Sequence, residues 1–249
     1  FISLWTAVLA SLWLISGTAS AQGAPWRAWL YDQAGGRAIQ VDANGQVIYD
    51  RLLPSPIPNP SYSQTLAASS DGSTLAYTTF DASLTSGQLL IYNAATNAVT
   101  VQMDISGTGG DTFDMPGMRH MFNATGSALA YGYVIEAPAL GWGIDIIGTA
   151  TGATLFQLRH DQAAVRSVLS GDPTGYLPLV QDYDAGQVAF TLVNWGTEAR
   201  TSYESFRWDV LNGTVTQDNA FTSLQADIFR PTGEVVMAVL DPRLPNSLD

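Results

Sequence analysis

Cysteine and lysine are both missing from this chain. Without Cys there is no disulfide, no thiolate metal site, no Cys nucleophile and no lipidated N-terminal Cys within these residues. Without Lys, a Walker-type phosphate loop and a Schiff-base nucleophile are excluded as well. Charge is sparse, at 13% of residues, and lopsided: ten Arg against 22 acidic residues give a net −12. Nucleic acids and anionic membrane surfaces attract basic patches, so neither is an expected partner. Histidine occurs only at positions 120 and 160, and no G-x-S-x-G elbow is present. A Ser-His-Asp nucleophile therefore has no recognisable seat.

Long hydrophobic runs are also scarce. The one uncharged apolar run covers residues 1–17 (FISLWTAVLASLWLISG), short of the roughly 20 residues a membrane-spanning helix needs. Ala19-Ser20-Ala21 follows as an A-x-A cleavage pattern. The expectation is a secretory signal peptide over residues 1–21, cut before Gln22, with no membrane span afterwards. A positive n-region and an initiator Met are missing, which reads as a fragment of a longer secreted protein. The location implied is secreted, periplasmic or cell-surface.

What remains is 46% hydrophobic and is dominated by short alternating segments. Residues 64–103 read as four strands in series: 64–68, an Asp71-Gly72 turn, 74–80, 88–92, an Ala-Ala-Thr-Asn turn, and 98–103. Leu75, Tyr77 and Thr79 alternate within the second, as a strand's two-residue period requires, and Asp, Gly and Asn supply the turns. One such meander cannot bury both faces alone. The chain provides copies. Residues 26–31, 37–41 and 46–49 match the second to fourth strands, joined at Gly35-Gly36 and Asn44-Gly45. Further copies place strands at 118–122, 128–134, 143–147 and 153–158, then at 177–181, 187–193, 203–210 and 214–217. A half copy has 224–229 and 234–240. The turn glycines Gly72, Gly126, Gly186 and Gly233 recur at roughly the 40–50-residue interval of propeller blades, stretched by loops. A β-sandwich would have no reason to repeat one internal order.

S-S-D-G-S-T-L-A-Y (69–77), then L-L-I-Y-N (89–93) and a T-N turn, resembles the WD40-like (PD40) repeats of TolB-type propellers. Weaker copies are F-N-A-T-G-S-A-L-A-Y (122–131), D-Y-D-A-G-Q-V-A-F (182–190) and F-R-P-T-G-E-V-V-M (229–237). The chain departs from that pattern in lacking Pro before Asp-Gly, and Asp precedes the Gly in only one turn. The resemblance implies an all-β propeller of four-stranded antiparallel blades, about four and a half of them in an incomplete ring. The blades would cover 26–53, 64–103, 118–158, 177–217 and 224–249, within a domain spanning 22–249.

Several patterns bear on chemistry. Residues 107–112 (GTGGDT) fail as a dinucleotide loop, because Thr stands where the third Gly is needed. Residues 182–186 (DYDAG) begin like a calcium loop but lack its later acidic ligand. Ser69–Thr74 is a poor match to a sialidase Asp-box. Asn123 and Asn212 head glycosylation sequons that fall on turns. A helical turn is expected near Val165, Val168 and Leu169. No cofactor, metal or catalytic group is expected. In a propeller, the loops from second to third strand and from one blade to the next share a face. Here those loops carry Asp111, Asp114, Glu136, Trp142, Asp161, Trp195 and Glu198. Indole faces stack and carboxylates orient donors, which suits a protein, carbohydrate or peptide ligand. The expected function is a non-catalytic binding scaffold. The alternative is the propeller portion of an enzyme: a gating domain of a serine peptidase, or a glycosidase using two loop carboxylates.

Overall fold

Period-two alternation places each strand's side chains on two different interfaces. In β5 (Thr74–Phe80), Leu75 and Tyr77 enter one apolar core while Ala76, between them, enters another. Its neighbour β6 (Gly87–Asn93) divides in the same way: Leu90 and Tyr92 face the first core, Leu89 and Ile91 the second. A sheet buried on both faces needs a further sheet on each side. The computed structural model describes residues 27–32, 36–54, 66–80, 87–105, 120–135, 140–169, 171–194, 203–218, 226–229 and 236–239; the expected signal peptide lies outside them.

Among the described residues five antiparallel sheets follow in chain order. The first has three strands, β1 (Arg27–Asp32), β2 (Arg37–Asp42) and β3 (Val47–Leu52). The second adds β4 (Ala67–Ala68) before β5 and β6, and β7 (Ala98–Asp104) after them. The third comprises β8 (His120–Phe122), β9 (Ala128–Ile135), β10 (Gly141–Gly148) and β11 (Thr154–Arg159). The fourth comprises β12 (Tyr176–Asp184), β13 (Gln187–Asn194), β14 (Tyr203–Asp209) and β15 (Thr214–Gln217). Two strands, β16 (Ala226–Phe229) and β17 (Val236–Val239), form the last.

Among the described residues three cores lie between successive sheets. Leu53 of the first meander meets Leu75, Tyr77 and Tyr92 of the second. Ile91 and Val101 meet Leu129, Tyr131 and Tyr133 of the third. Trp142, Ile144 and Ile146 meet Phe190, Phe206 and Trp208 of the fourth. The first strand β8 neighbours both β4 and β12, the first strands of the blades on either side, whereas the last strands β7, β11 and β15 are mostly exposed. First strands inside, last strands outside and sheets stacked face to face make this a β-propeller with an incomplete ring of blades.

The turns repeat as well as the strands. Asp71 Oδ1 accepts from the Ser69 hydroxyl at 2.6 Å and from the Ser73 N–H at 2.9 Å. In the next blade Asn123 stands where Ser69 does, and its Oδ1 accepts from Ala128 N–H at 3.1 Å as Ser69 Oγ accepts from Thr74 N–H at 3.0 Å. Thr125 takes the place of Asp71 and donates its hydroxyl to Asn123 Oδ1 at 3.3 Å. At the third-to-fourth-strand turns, Asp42, Asn93 and Asp209 accept from backbone N–H groups further along the turn. Gly45, Asn97 and Gly213 complete those turns at positive φ, where only Gly and Asn sit comfortably.

Three expectations are corrected. The strand expected over 64–68 has only Ala67 and Ala68 among the described residues. The strand expected to begin at Gly143 begins at Gly141, so Trp142 belongs to β10 and not to a loop. Asp182 lies inside β12, where a bulge after Val180 lengthens the strand beyond the expected 177–181.

Candidate functional site

In an antiparallel meander, connections alternate between the two ends. The tight turns at Gly45, Gly72, Asn97, Gly126, Gly152, Gly186 and Gly213 share one end. The 160–175 connection starts and ends at the other, as do the strand ends that border the undescribed stretches 81–86, 106–119, 136–139 and 195–202. Asp111, Asp114, Glu136, Trp195 and Glu198 lie outside the described residues, as does the Gly-rich stretch 107–112. Asp161 is exposed at the start of the 160–175 connection.

Trp142 leaves the candidate set. Its side chain is wholly buried between the third and fourth blades, and its indole Nε1 donates to the Pro173 carbonyl at 2.8 Å. The apolar alternation of β10 turns it inward, so it offers no face to a ligand. It instead ties down the 160–175 connection. That connection contains α1 (Ala163–Arg166), from which Val165 packs into the same core, as does Leu169 just beyond it. The helical turn expected there is present. Asp172 caps the following 3₁₀ turn (Pro173–Gly175), accepting from Thr174 N–H at 3.0 Å and its hydroxyl at 2.8 Å. These bonds, the backbone one first, hold the Asp172 carboxyl below the ordinary carboxylate range.

His160 is a further fastening. Its backbone N–H donates to Trp142 O at 3.2 Å, and its Nδ1 accepts from Trp142 N–H at 3.4 Å. The ring lies on Gly141, where a Cβ would stand 2.2 Å from the imidazole Cε1. Glycine is required there by close approach.

Beside it, the blade-two face of the third sheet carries a polar row. Asp145 Oδ1 accepts from the Tyr133 hydroxyl at 3.0 Å and from Arg159 Nη1 at 2.5 Å. Asp145 Oδ2 accepts more distantly from Gln157 Nε2, at 3.4 Å. The Arg159 guanidinium stacks over the Tyr133 ring, 5.1 Å from its centroid. Gly143 lies between them in the register, and a Cβ there would fall 2.6 Å from the Tyr133 hydroxyl and 2.7 Å from Arg159 Nη1. Burial, then the Asp145 carboxylate, push the Tyr133 hydroxyl's pKa up, so it stays a neutral donor. Sequence reading missed this cluster. Its signal was a lone acid within the apolar strand GWGIDIIG.

His120 is the first residue of β8 and is buried. It is 2% exposed on β8, 4.8 Å from the Tyr131 ring, and neither ring nitrogen has a hydrogen-bond partner among the described residues. Burial pushes its imidazole down to about 3. The unfolded chain takes up this proton near pH 6.5, the folded one only near pH 3. This contribution is therefore complete above pH 6.5 and is lost as the pH falls toward 3, at up to about 1.4 kcal/mol per unit. Asp42 and Asp71 are held below 3.8, so their linkage enters only at lower pH. Urea unfolding of the parent and His120→Phe at pH 7 and 4.5 should show a stability loss in the parent that the variant largely lacks. Equal losses in both would refute this account.

Asn123 and Asn212, the sequon residues, spend their side-chain amides on Ser127 Oγ at 3.1 Å and Asp209 Oδ2 at 2.8 Å. Among the described residues no His, Asp and Glu groups converge as a metal site, and no helix is long and apolar enough to cross a membrane.

No protein-family model matches the chain, and no curated protein matches it in sequence. Similar solved structures exist. TolB from Acinetobacter baumannii is 14% identical, with a TM-score of 0.49 over 93% of this chain and 54% of its own. Hydrazine synthase from Kuenenia stuttgartiensis is 10% identical, with a TM-score of 0.43 over 79% of this chain and 69% of its own. The β-propeller domain of the Trilobed protease from Pyrococcus furiosus is 10% identical, with a TM-score of 0.41 over 86% of this chain and 58% of its own. The chain thus spans just over half the length of the first and third.

Proposed function

We propose that this chain is the propeller part of a secreted or cell-envelope protein of the WD40-like, TolB-type kind, acting as a non-catalytic scaffold that binds a protein, peptide or carbohydrate ligand at its loop-bearing end. One observation carries the reading. The 160–175 connection is fastened to the blades by the Trp142–Pro173 hydrogen bond, the His160–Gly141 contact and the buried Val165, while Asp161 on it stays exposed. A loop held in one shape binds without first being ordered, which lowers the entropic cost of association. The apolar run 1–17 and its A-x-A pattern support export.

The test is binding to glycan and peptide arrays by the parent and by a variant carrying Asp111→Asn, Asp114→Asn, Glu136→Gln, Asp161→Asn and Glu198→Gln. The parent should bind a discrete set of array members, and the variant should lose most of that signal at an unchanged melting temperature. A parent that binds nothing, or a variant that binds as the parent does, would overturn the assignment of this end as the binding face.

A further inference from the structure

Arg159 is the terminal residue of β11 and stands at the loop-bearing end. It is held from three sides: Asp145 takes Nη1, the Tyr133 ring lies under the guanidinium, and Gly143 leaves the space for both. Its one other hydrogen bond among the described residues also uses Nη1, to the Leu158 carbonyl at 3.2 Å. The Nε and Nη2 groups have no partner among the described residues, and the side chain keeps 24% of its surface exposed. Nε and Nη2 form one edge of the guanidinium, with two parallel N–H bonds spaced to match the two oxygens of a carboxylate. An arginine fixed by one carboxylate and a ring, with its paired-donor edge unused, is preorganised for a second carboxylate.

We propose that the Nε/Nη2 edge of Arg159 is a carboxylate-recognition point, and that the ligand of the loop-bearing end presents one carboxylate there. This rests on the scaffold reading above and adds the chemistry of its ligand. The chain's own charge narrows the class. At a net −12 the protein repels polyanions, so the group recognised is a single carboxylate on an otherwise uncharged segment. A peptide C-terminus and an isolated acidic side chain both supply it.

Three peptides separate the possibilities: Ac-Ala-Ala-Ala with a free C-terminus, Ac-Ala-Glu-Ala amide, and Ac-Ala-Gln-Ala amide. Ligand-observed NMR measures each dissociation constant against the parent and Arg159→Lys, with melting curves as the folding control. At least one carboxylate peptide should bind, the glutamine peptide should not, and Arg159→Lys should weaken binding about tenfold, because Lys keeps the charge but loses the paired donors. The tighter carboxylate peptide identifies the source. If Arg159→Lys melts early, the Arg159 Nε–H resonance of the parent replaces it and should shift saturably with carboxylate peptides alone. Equal behaviour of the three peptides, or undiminished binding by folded Arg159→Lys, overturns the proposal. Array binding that survives Arg159→Lys but not the five loop substitutions would sink the carboxylate point and leave the scaffold standing.

Discussion

Trp142→Ala is expected to lower the unfolding free energy by about 3–5 kcal/mol, the usual cost of truncating a buried large aromatic side chain. Trp142 heads the largest fully buried side chains. Its ring stands 6.0 Å from that of Phe190, which is itself stacked on Phe206 at 5.6 Å. Deleting it opens a cavity between rigid sheets that have little freedom to collapse, so the cost belongs at the upper end of that range. The same change frees the Pro173 carbonyl and with it the 160–175 connection. Trp142→Phe keeps most of the volume and loses the N–H, so it should cost about 1 kcal/mol while still speeding proteolysis within 160–175. Urea melts and limited proteolysis of the parent and both variants check the two parts separately. A Trp142→Ala protein as stable as the parent but unable to bind array ligands would restore the ligand-stacking role and refute the packing account.

That reversal shows how far residue patterns reach in this chain. The strands were legible because sheets buried on both faces leave runs such as TLAYTTF and ALAYGYV between turn residues. The strand over 74–80 is found where alternation puts it. The ends of strands were less legible. The segment GWGIDIIG begins with two glycines flanking a tryptophan, a composition equally suited to a loop, and only the pairing of Gly141 with Ile135 and Trp142 with Val134 brings it into the sheet. That two-residue difference moved an indole from a presumed binding loop into a core. The polar row was illegible for another reason. Tyr133, Asp145 and Arg159 come from three strands, and nothing in the chain order shows that they share one face. Only the cross-strand register, Gly143 opposite both Tyr133 and Arg159, brings them together. Asp161 is exposed in a connection, a position that can be read without knowledge of register.

Register also decides the second large effect, expected of Gly132→Val. Gly132 sits in the middle of β9, opposite Ile144, where local preference favours valine. Valine suits strands and glycine weakens them, by somewhat under 1 kcal/mol each way. Steric contact opposes this. A Cβ at position 132 would stand 2.9 Å from the Pro178 carbonyl oxygen and 3.4 Å from Val180 Cγ2, both on β12 of the next blade. The oxygen is backbone and cannot swing aside as the end of a long side chain would. Relief requires the third and fourth blades to separate along their shared core, and overpacking of that kind costs typically 1–3 kcal/mol. The steric cost exceeds the propensity gain, so Gly132→Val should destabilise by about 2 kcal/mol, and Gly132→Ala by less. Gly175→Ala is the matched control, because nothing lies within 4 Å of the Cβ it would add, and it should leave the urea midpoint nearly unchanged. A Gly132→Val protein more stable than the parent would mean that these two blades do not approach so closely, and the face-to-face stacking of sheets would fail at its tightest point.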